Sequence, residues 1–211
     1  MIDNRQNIIN ATERLLQTHG LARLTTRKIA LEAKVAEGLI YHHFKDKVEL
    51  IYEVVETRVR ETKNLMQNLP LQVGTRTLLE NLEDVLHSVY LSHCEISPIM
   101  CSVFADQRLR ERMQEILKEK GMGPQYAIEG LDVYLAAEKR LGRLSDAVDT
   151  QVIAKCLWMI SIQSAMIDKL LGYDPDEQYV RKEIRNCLQT LMAGFGPRLE
   201  FKEKNGSKKN K

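Results

Sequence analysis

Leu24-Thr25-Thr26-Arg27-Lys28-Ile29-Ala30, continued through Ala33-Lys34-Val35-Ala36 into Glu37-Gly38-Leu39-Ile40-Tyr41-His42-His43-Phe44-Lys45-Asp46-Lys47, decides the fold. Thr25 and Thr26 offer a hydroxyl cap for a short helix through Ala33, with Ile29, Ala30 and Ala33 facing inward. After a tight turn, a second short helix is predicted from about Glu37 to His43. Its inner face carries Ile40 and Phe44, leaving Glu37, Gly38, Tyr41 and His42 outward. Upstream, Ile8, Ile9, Ala11, Leu15 and Leu16 form a stripe predicting a helix from about Asn4 to Thr18, ended by His19-Gly20. Two short helices joined by a tight turn behind a supporting helix describe a helix-turn-helix. The second must stand proud to enter a major groove ~12 Å wide, so it needs that brace.

Working outward, the pattern stays helical. Asp46 and Glu49 have capping-box spacing and open a long helix ending near Leu69-Pro70. A helix from Thr75 to His93 follows, and Ser97-Pro98 predicts a separate short one. Asp106 caps the next, which breaks at Gly121-Met122-Gly123-Pro124 and resumes to about Arg140. The last two helices are the most apolar. One runs from about Asp149 to Leu171 and stops at Gly172; the other is capped by Asp174-Pro175 with Glu177 and reaches about Ala193. Val180, Ile184, Leu188, Leu191 and Phe195 share one face of the latter, expected to form a seam between two copies rather than monomer core. Past Pro197 the chain turns to Lys, Asn, Gly and Ser, and residues 198–211 are expected to be a disordered basic tail. No strand pattern and no repeat emerges, so the fold class is all-α.

Composition agrees. Of 211 residues 44% are apolar, enough for a sizeable core, while Gly (11) and Pro (5) are sparse enough to favour helix. The chain is basic at both ends and acidic in the middle. No apolar run approaches the ~20 residues that cross a bilayer. Met1-Ile2-Asp3-Asn4-Arg5 lacks a secretory pattern, so a cytoplasmic protein with no membrane partner is expected. Cys94, Cys101, Cys156 and Cys187 are scattered without a CxxC pair and are expected in the core. His42-His43 point ~100° apart on a helix and make a poor metal pair, so no metal site is expected. No nucleophile–base set, paired acid site or Gly-rich phosphate loop is present, which argues against an enzyme and against a cofactor.

Beyond this pattern, Ile8-Ile9-Asn10-Ala11, Leu15-Leu16, His19-Gly20, the run Leu24 to Ala30, Ala33, Val35, and Leu39 to Lys47 with Leu50 together resemble the TetR (tetracycline-repressor-like) family over about 45 contiguous residues. The resemblance implies a three-helix DNA-binding domain over 1–48 and a helical ligand-binding and dimerisation domain over 49–197. It implies a ligand-responsive regulator, expected to be a repressor, that binds a palindromic operator in double-stranded DNA as a homodimer through its last two helices. A small molecule in the body would release it by shifting the long Asp46–Leu69 helix and changing the spacing of the recognition helices. Carried over by position, Arg27 matches a base-reading residue, and Thr25, Thr26, Tyr41 and Lys47 match phosphate contacts. Those chemistries suit the roles, since Arg forks onto guanine while hydroxyls and ammonium fix register.

Three positions depart from the family pattern, and Glu37 is a further oddity. Lys34 stands where a turn glycine is usual, and a left-handed non-glycine costs about 1–2 kcal/mol. Ala36 stands where Ser is frequent, removing a helix cap worth ~1 kcal/mol. Leu39 replaces a common Thr and could meet a thymine methyl. Glu37 is repelled by DNA unless it accepts from cytosine N4. The expected DNA-facing set is therefore Thr25, Thr26, Arg27, Glu37, Gly38, Leu39, Tyr41, His42 and Lys47. For a largely apolar effector, the expected lining is Met66, His87, Tyr90, Phe104, Tyr126, Trp158, Met159 and Met166. The alternative is an activator or architectural DNA-binding protein without a ligand, with a sealed body.

Overall fold

A computed structural model describes residues 3–121 and 123–194. Among these the chain is helical without strands: α1 (Asn4–His19), α2 (Thr26–Ala33), α3 (Glu37–His43), α4 (Lys47–Asn68), α5 (Leu78–Ala105), α6 (Gln107–Lys120), α7 (Pro124–Arg140), α8 (Thr150–Leu171) and α9 (Glu177–Ala193). Met122, Phe195 and the tail expectation for 198–211 lie outside the described residues.

Local chemistry sets most boundaries. Thr25 caps α2 by accepting from the Lys28 amide at 3.3 Å. Asp46 caps α4, accepting from the Val48 and Glu49 amides at 2.8 Å each. The Glu49 carboxylate reaches back one residue further than a capping box requires and accepts from the Lys45 amide at 2.7 Å. A full capping box starts α5, with Thr77 and Glu80 bonded reciprocally, so that helix begins after Thr77 and not at Thr75. Likewise α9 is capped by Asp176, two residues beyond the expected Asp174.

The largest departure is α5, which runs unbroken through Pro98 where two helices were expected. Proline deprives the Cys94 carbonyl of its partner and costs ~3 kcal/mol in a helix interior. Continuing the helix buries Ile96, Ile99 and Val103, and each aliphatic side chain contributes about 1.5–3 kcal/mol. Burial therefore outweighs the break.

The core has two parts. One joins α1–α3 to the first half of α4 (Leu50, Ile51, Val54), the end of α5 (Ile99, Val103) and α6 (Met113, Ile116). The other gathers Met66, the first half of α5, α7, α8 and α9. Thus α4 and α5 belong to both and tie them together. Where they cross, Thr62 shares its hydroxyl with the Ser88 side chain at 2.8 Å inside the protein.

Val180, Ile184 and Leu188 are buried against α5, so the α9 stripe expected to be a seam serves the monomer's own core. A hydrophobic stripe has no label for its partner, and α5 reaches it first. A row of open apolar side chains lies instead on α8, where Val152, Met159, Ile167 and Leu170 are exposed. By length and composition α8 could span a bilayer, against the expectation that no run comes close. Here its other face (Ala154, Leu157, Trp158, Ala165) packs into the body. The cysteines are not core residues: Cys94 and Cys156 are half-buried and Cys101 and Cys187 exposed.

Candidate nucleic-acid interface

The reading head is assembled from the first three helices. Ile8, Ile9 and Ala11 of α1, Ile29, Ala30 and Ala33 of α2, and Ile40 and Phe44 of the α3 segment are all buried together. Polar bonds hold the seams: Asn7 Nδ2 donates to the Ala33 carbonyl at 2.7 Å, and Arg14 pairs with Glu32 at 2.9 Å. Burying Ile40 and Phe44 forces the opposite face of α3 outward.

That outward face carries the expected residues. Arg27 is exposed and has no protein partner among the described residues. Thr25, Glu37, Gly38, Tyr41 and His42 are also exposed, with Thr26 and Lys47 half-buried. Lys47 Nζ donates to the Leu24 carbonyl at 3.3 Å, which draws the ammonium to the start of α2. Leu39 is different: it is half-buried and packs on the first core, so little of it is left to meet a base. Adjacent histidines diverge as expected, with His43 half-buried and the two rings edge to face at 5.3 Å.

One connection was not foreseen. The Thr26 hydroxyl donates to Glu37 Oε1 at 2.6 Å, and Tyr41 OH donates to Thr26 Oγ1 at 3.4 Å. These bonds link α2 to α3 through three residues of the outward face. At the turn between them Lys34 has φ 56°, the single non-glycine with positive φ among the described residues. Ala36 gives α3 no side-chain cap.

Behind the face, Arg112 of α6 donates to Asp46 at 2.7 Å, tying the body to the start of α4. Burial alone would raise the Asp46 carboxyl, but the Glu49 amide and the Arg112 guanidinium hold it below its ordinary value. Arg58 of α4 pairs with Glu13 of α1 and, at 2.9 Å, with Glu95 of α5. None of these partners is near another in sequence, so no local signal announces them.

Residues 8–54 match the family model for bacterial regulatory proteins of the tetR family. The HTH-type transcriptional regulator TtgR of Pseudomonas putida is 26% identical over 171 residues, covering 74% of this chain and 75% of TtgR. The N-terminal domain is a tetR-family helix-turn-helix. Among solved structures, a TetR transcription regulator from Haloarcula marismortui superposes with TM-score 0.69 at 16% identity, over 92% of this chain and 98% of that one. FadR of Bacillus subtilis, solved in complex with stearoyl-CoA, gives TM-score 0.66 at 18% identity, over 90% and 99%. The chain is thus a transcriptional regulator with a tetR-type DNA-binding domain at its N-terminus.

In its body, the eight residues expected to line a ligand site do not converge. Met66, His87, Tyr90 and Trp158 are buried, whereas Phe104, Tyr126, Met159 and Met166 are at the surface. Helix phase explains the split, since adjacent Trp158 and Met159 point ~100° apart. Tyr90 OH donates to Asp168 at 2.7 Å, and burial together with that carboxylate pushes its pKa upward. The His87 pKa is lowered by burial and then by Arg181, and its Nε2 has no hydrogen-bond partner among the described residues. Ser161 Oγ is also buried without one. Two surface hollows of about 280 Å³ are present, one between α8 and α9 beside Ile160, Cys187 and Leu191, the other between α6 and α7 beside Leu117 and Tyr126.

Proposed function

We propose that this regulator is a repressor that binds a palindromic operator as a homodimer and is released when a largely apolar small molecule enters its body. The observation that carries the reading is the outward face of α2 and α3, where exposed Arg27 stands beside hydroxyls and Lys47 on a braced pair of helices. Arg27 reads guanine; Thr25, Tyr41 and Lys47 set register on phosphates. Two copies of α3 about one helical turn apart, ~34 Å, require a palindrome. Dimerisation is supported by the open apolar face of α8 flanked by α9.

The ligand side rests on the buried polar atoms His87 Nε2, close to the charges of Arg181 and Glu177, and Ser161 Oγ, neither of which has a hydrogen-bond partner among the described residues. An unpaired buried polar atom costs about 1–3 kcal/mol, which a ligand's donor or acceptor would recover. The architecture shared with FadR, solved with stearoyl-CoA, supports an effector with a long apolar part. Because the body is closely packed, a ligand must push helices apart to enter. Met66 near one end of α4 and Asp46 at the other make that helix the transmitter. A coupling of 1–3 kcal/mol loosens operator binding by about 5–150-fold.

The test is selection of duplexes from a random pool by the full chain, followed by anisotropy titration. One palindrome bound by two chains, with affinity falling steeply as salt rises, is expected. Equal affinity for every duplex would refute the reading. Mass spectrometry of small molecules carried by the native protein, followed by titration of each against the protein–operator complex, tests release.

A further inference from the structure

Glu37 is the only acidic residue of α3, and it stands in the face that would meet a polyanion. Left free, it would weaken that contact. It is not free. The Thr26 hydroxyl, on the neighbouring helix, donates to Oε1 at 2.6 Å, while Oε2 takes no hydrogen bond among the described residues. A threonine hydroxyl has one proton, so while Thr26 donates it to Glu37 it cannot also donate to a phosphate. Thr26 holds a carboxylate in place with one oxygen presented outward.

Gly38, next to it, supplies an independent observation. It is exposed, its φ is not in the left-handed region, and a Cβ built on it would meet nothing within 4 Å. The fold has no use for glycine there, and alanine would favour the helix by about 1 kcal/mol. What a missing methyl does provide is closer approach of the backbone to an outside surface. A fixed acceptor therefore sits beside the barest point of the recognition helix.

A carboxylate only accepts. In the major groove guanine offers two acceptors, and thymine an acceptor and a methyl. Adenine offers a donor beside the N7 acceptor, which would repel the second oxygen. Cytosine presents an amine, N4, with no acceptor beside it on its own base. We propose that Glu37 specifies a cytosine in each half-site, with Thr26 as its positioning residue and Gly38 admitting the close approach. This rests on the operator reading above and names a base within it.

The experiment uses the full chain and its selected duplex, each base pair replaced in turn and titrated by fluorescence anisotropy at fixed salt. At one position per half-site, replacing cytosine should weaken wild-type binding about tenfold. Glu37→Gln should flatten that position and move it towards adenine, which glutamine grips at N6 and N7, leaving other positions unchanged. Thr26→Val should erode discrimination at the same base pair; uniform weakening, as for a lost phosphate contact, would overturn its positioning role. Gly38→Ala should raise the melting temperature while weakening every duplex; unchanged binding would overturn the close approach. Glu37→Gln that melts like wild type and keeps the full base profile overturns the cytosine assignment while leaving the operator reading intact. A wild-type protein with no preferred duplex overturns both.

Discussion

At the residue scale the turn between α2 and α3 contains two local weaknesses. Lys34 holds φ 56° in the left-handed region, and α3 starts at Ala36 with no side-chain cap. Lys34→Gly relieves about 1–2 kcal/mol of backbone strain and returns about 0.4–1 kcal/mol through the looser unfolded chain. The net gain should raise the thermal midpoint by about 2 °C in a calorimetric scan. Ala36→Ser should add ~1 kcal/mol by accepting from an amide of the first turn of α3. A midpoint that fell in either variant would show that the turn is held by something other than its own backbone. Both weaknesses are legible in the sequence, because each depends on a single residue in a known local geometry. So is the outward position of Arg27, which follows from burying Ile29, Ala30 and Ala33, and so are those of Tyr41 and His42, which follow from burying Ile40 and Phe44. The bond from Thr26 to Glu37 is not legible, since it depends on how two helices cross, and neither is the partial burial of Leu39.

At the element scale one link between reading head and body is the contact of α6 with the start of α4. Asp46 takes two backbone amides of α4 on one oxygen and the Arg112 guanidinium on the other. Arg112→Met keeps the cap and removes the tie. A half-exposed pair contributes about 0.2–1 kcal/mol, so operator affinity should fall by up to about fivefold in an anisotropy titration with little change in melting. An unchanged affinity would mean that packing alone aligns the head. Acid should loosen the same junction. The folded Asp46 carboxyl lies below its ordinary value, so its stabilising contribution is complete above the unfolded value of about 3.9 and is lost as pH falls through the folded one. Melting curves of wild type and Asp46→Asn should therefore converge below about pH 4 and separate above it. Helix ends were legible where caps are local, at Thr25, Asp46, Asp106 and Asp149. The sequence misled at Ser97-Pro98, where burial at both ends of α5 overrides the proline, and a local signal cannot register what the far end of a helix packs against.

At the scale of the whole molecule an open apolar surface runs along the outward side of α8. Val152, Met159, Ile167 and Leu170 recur at intervals that keep them on one face, and all are exposed, Leu170 at 83%. Over eighteen residues that face is about 27 Å long. Beside it, the hollow of about 280 Å³ lined by Ile160, Cys187 and Leu191 offers room for side chains of a second copy related by a two-fold axis. Water contact along so long an apolar stripe is unfavourable, and covering it with its own image is the closed solution. The variant that tests this is Met159→Glu with Leu170→Glu: it sets like charges against each other across the axis yet disturbs nothing inside the monomer, where both positions already meet solvent. Sedimentation at one concentration should show wild type as a dimer and the doubly charged chain as a folded monomer. Its operator affinity should drop about 10²–10⁴-fold, the loss expected when two linked contacts become one. Ile184→Glu, by contrast, places a charge in the monomer core and should unfold the chain outright. A Met159→Glu, Leu170→Glu protein that stayed dimeric with full operator affinity would move the interface off α8, and the spacing of the two reading heads would then have to be set by another surface.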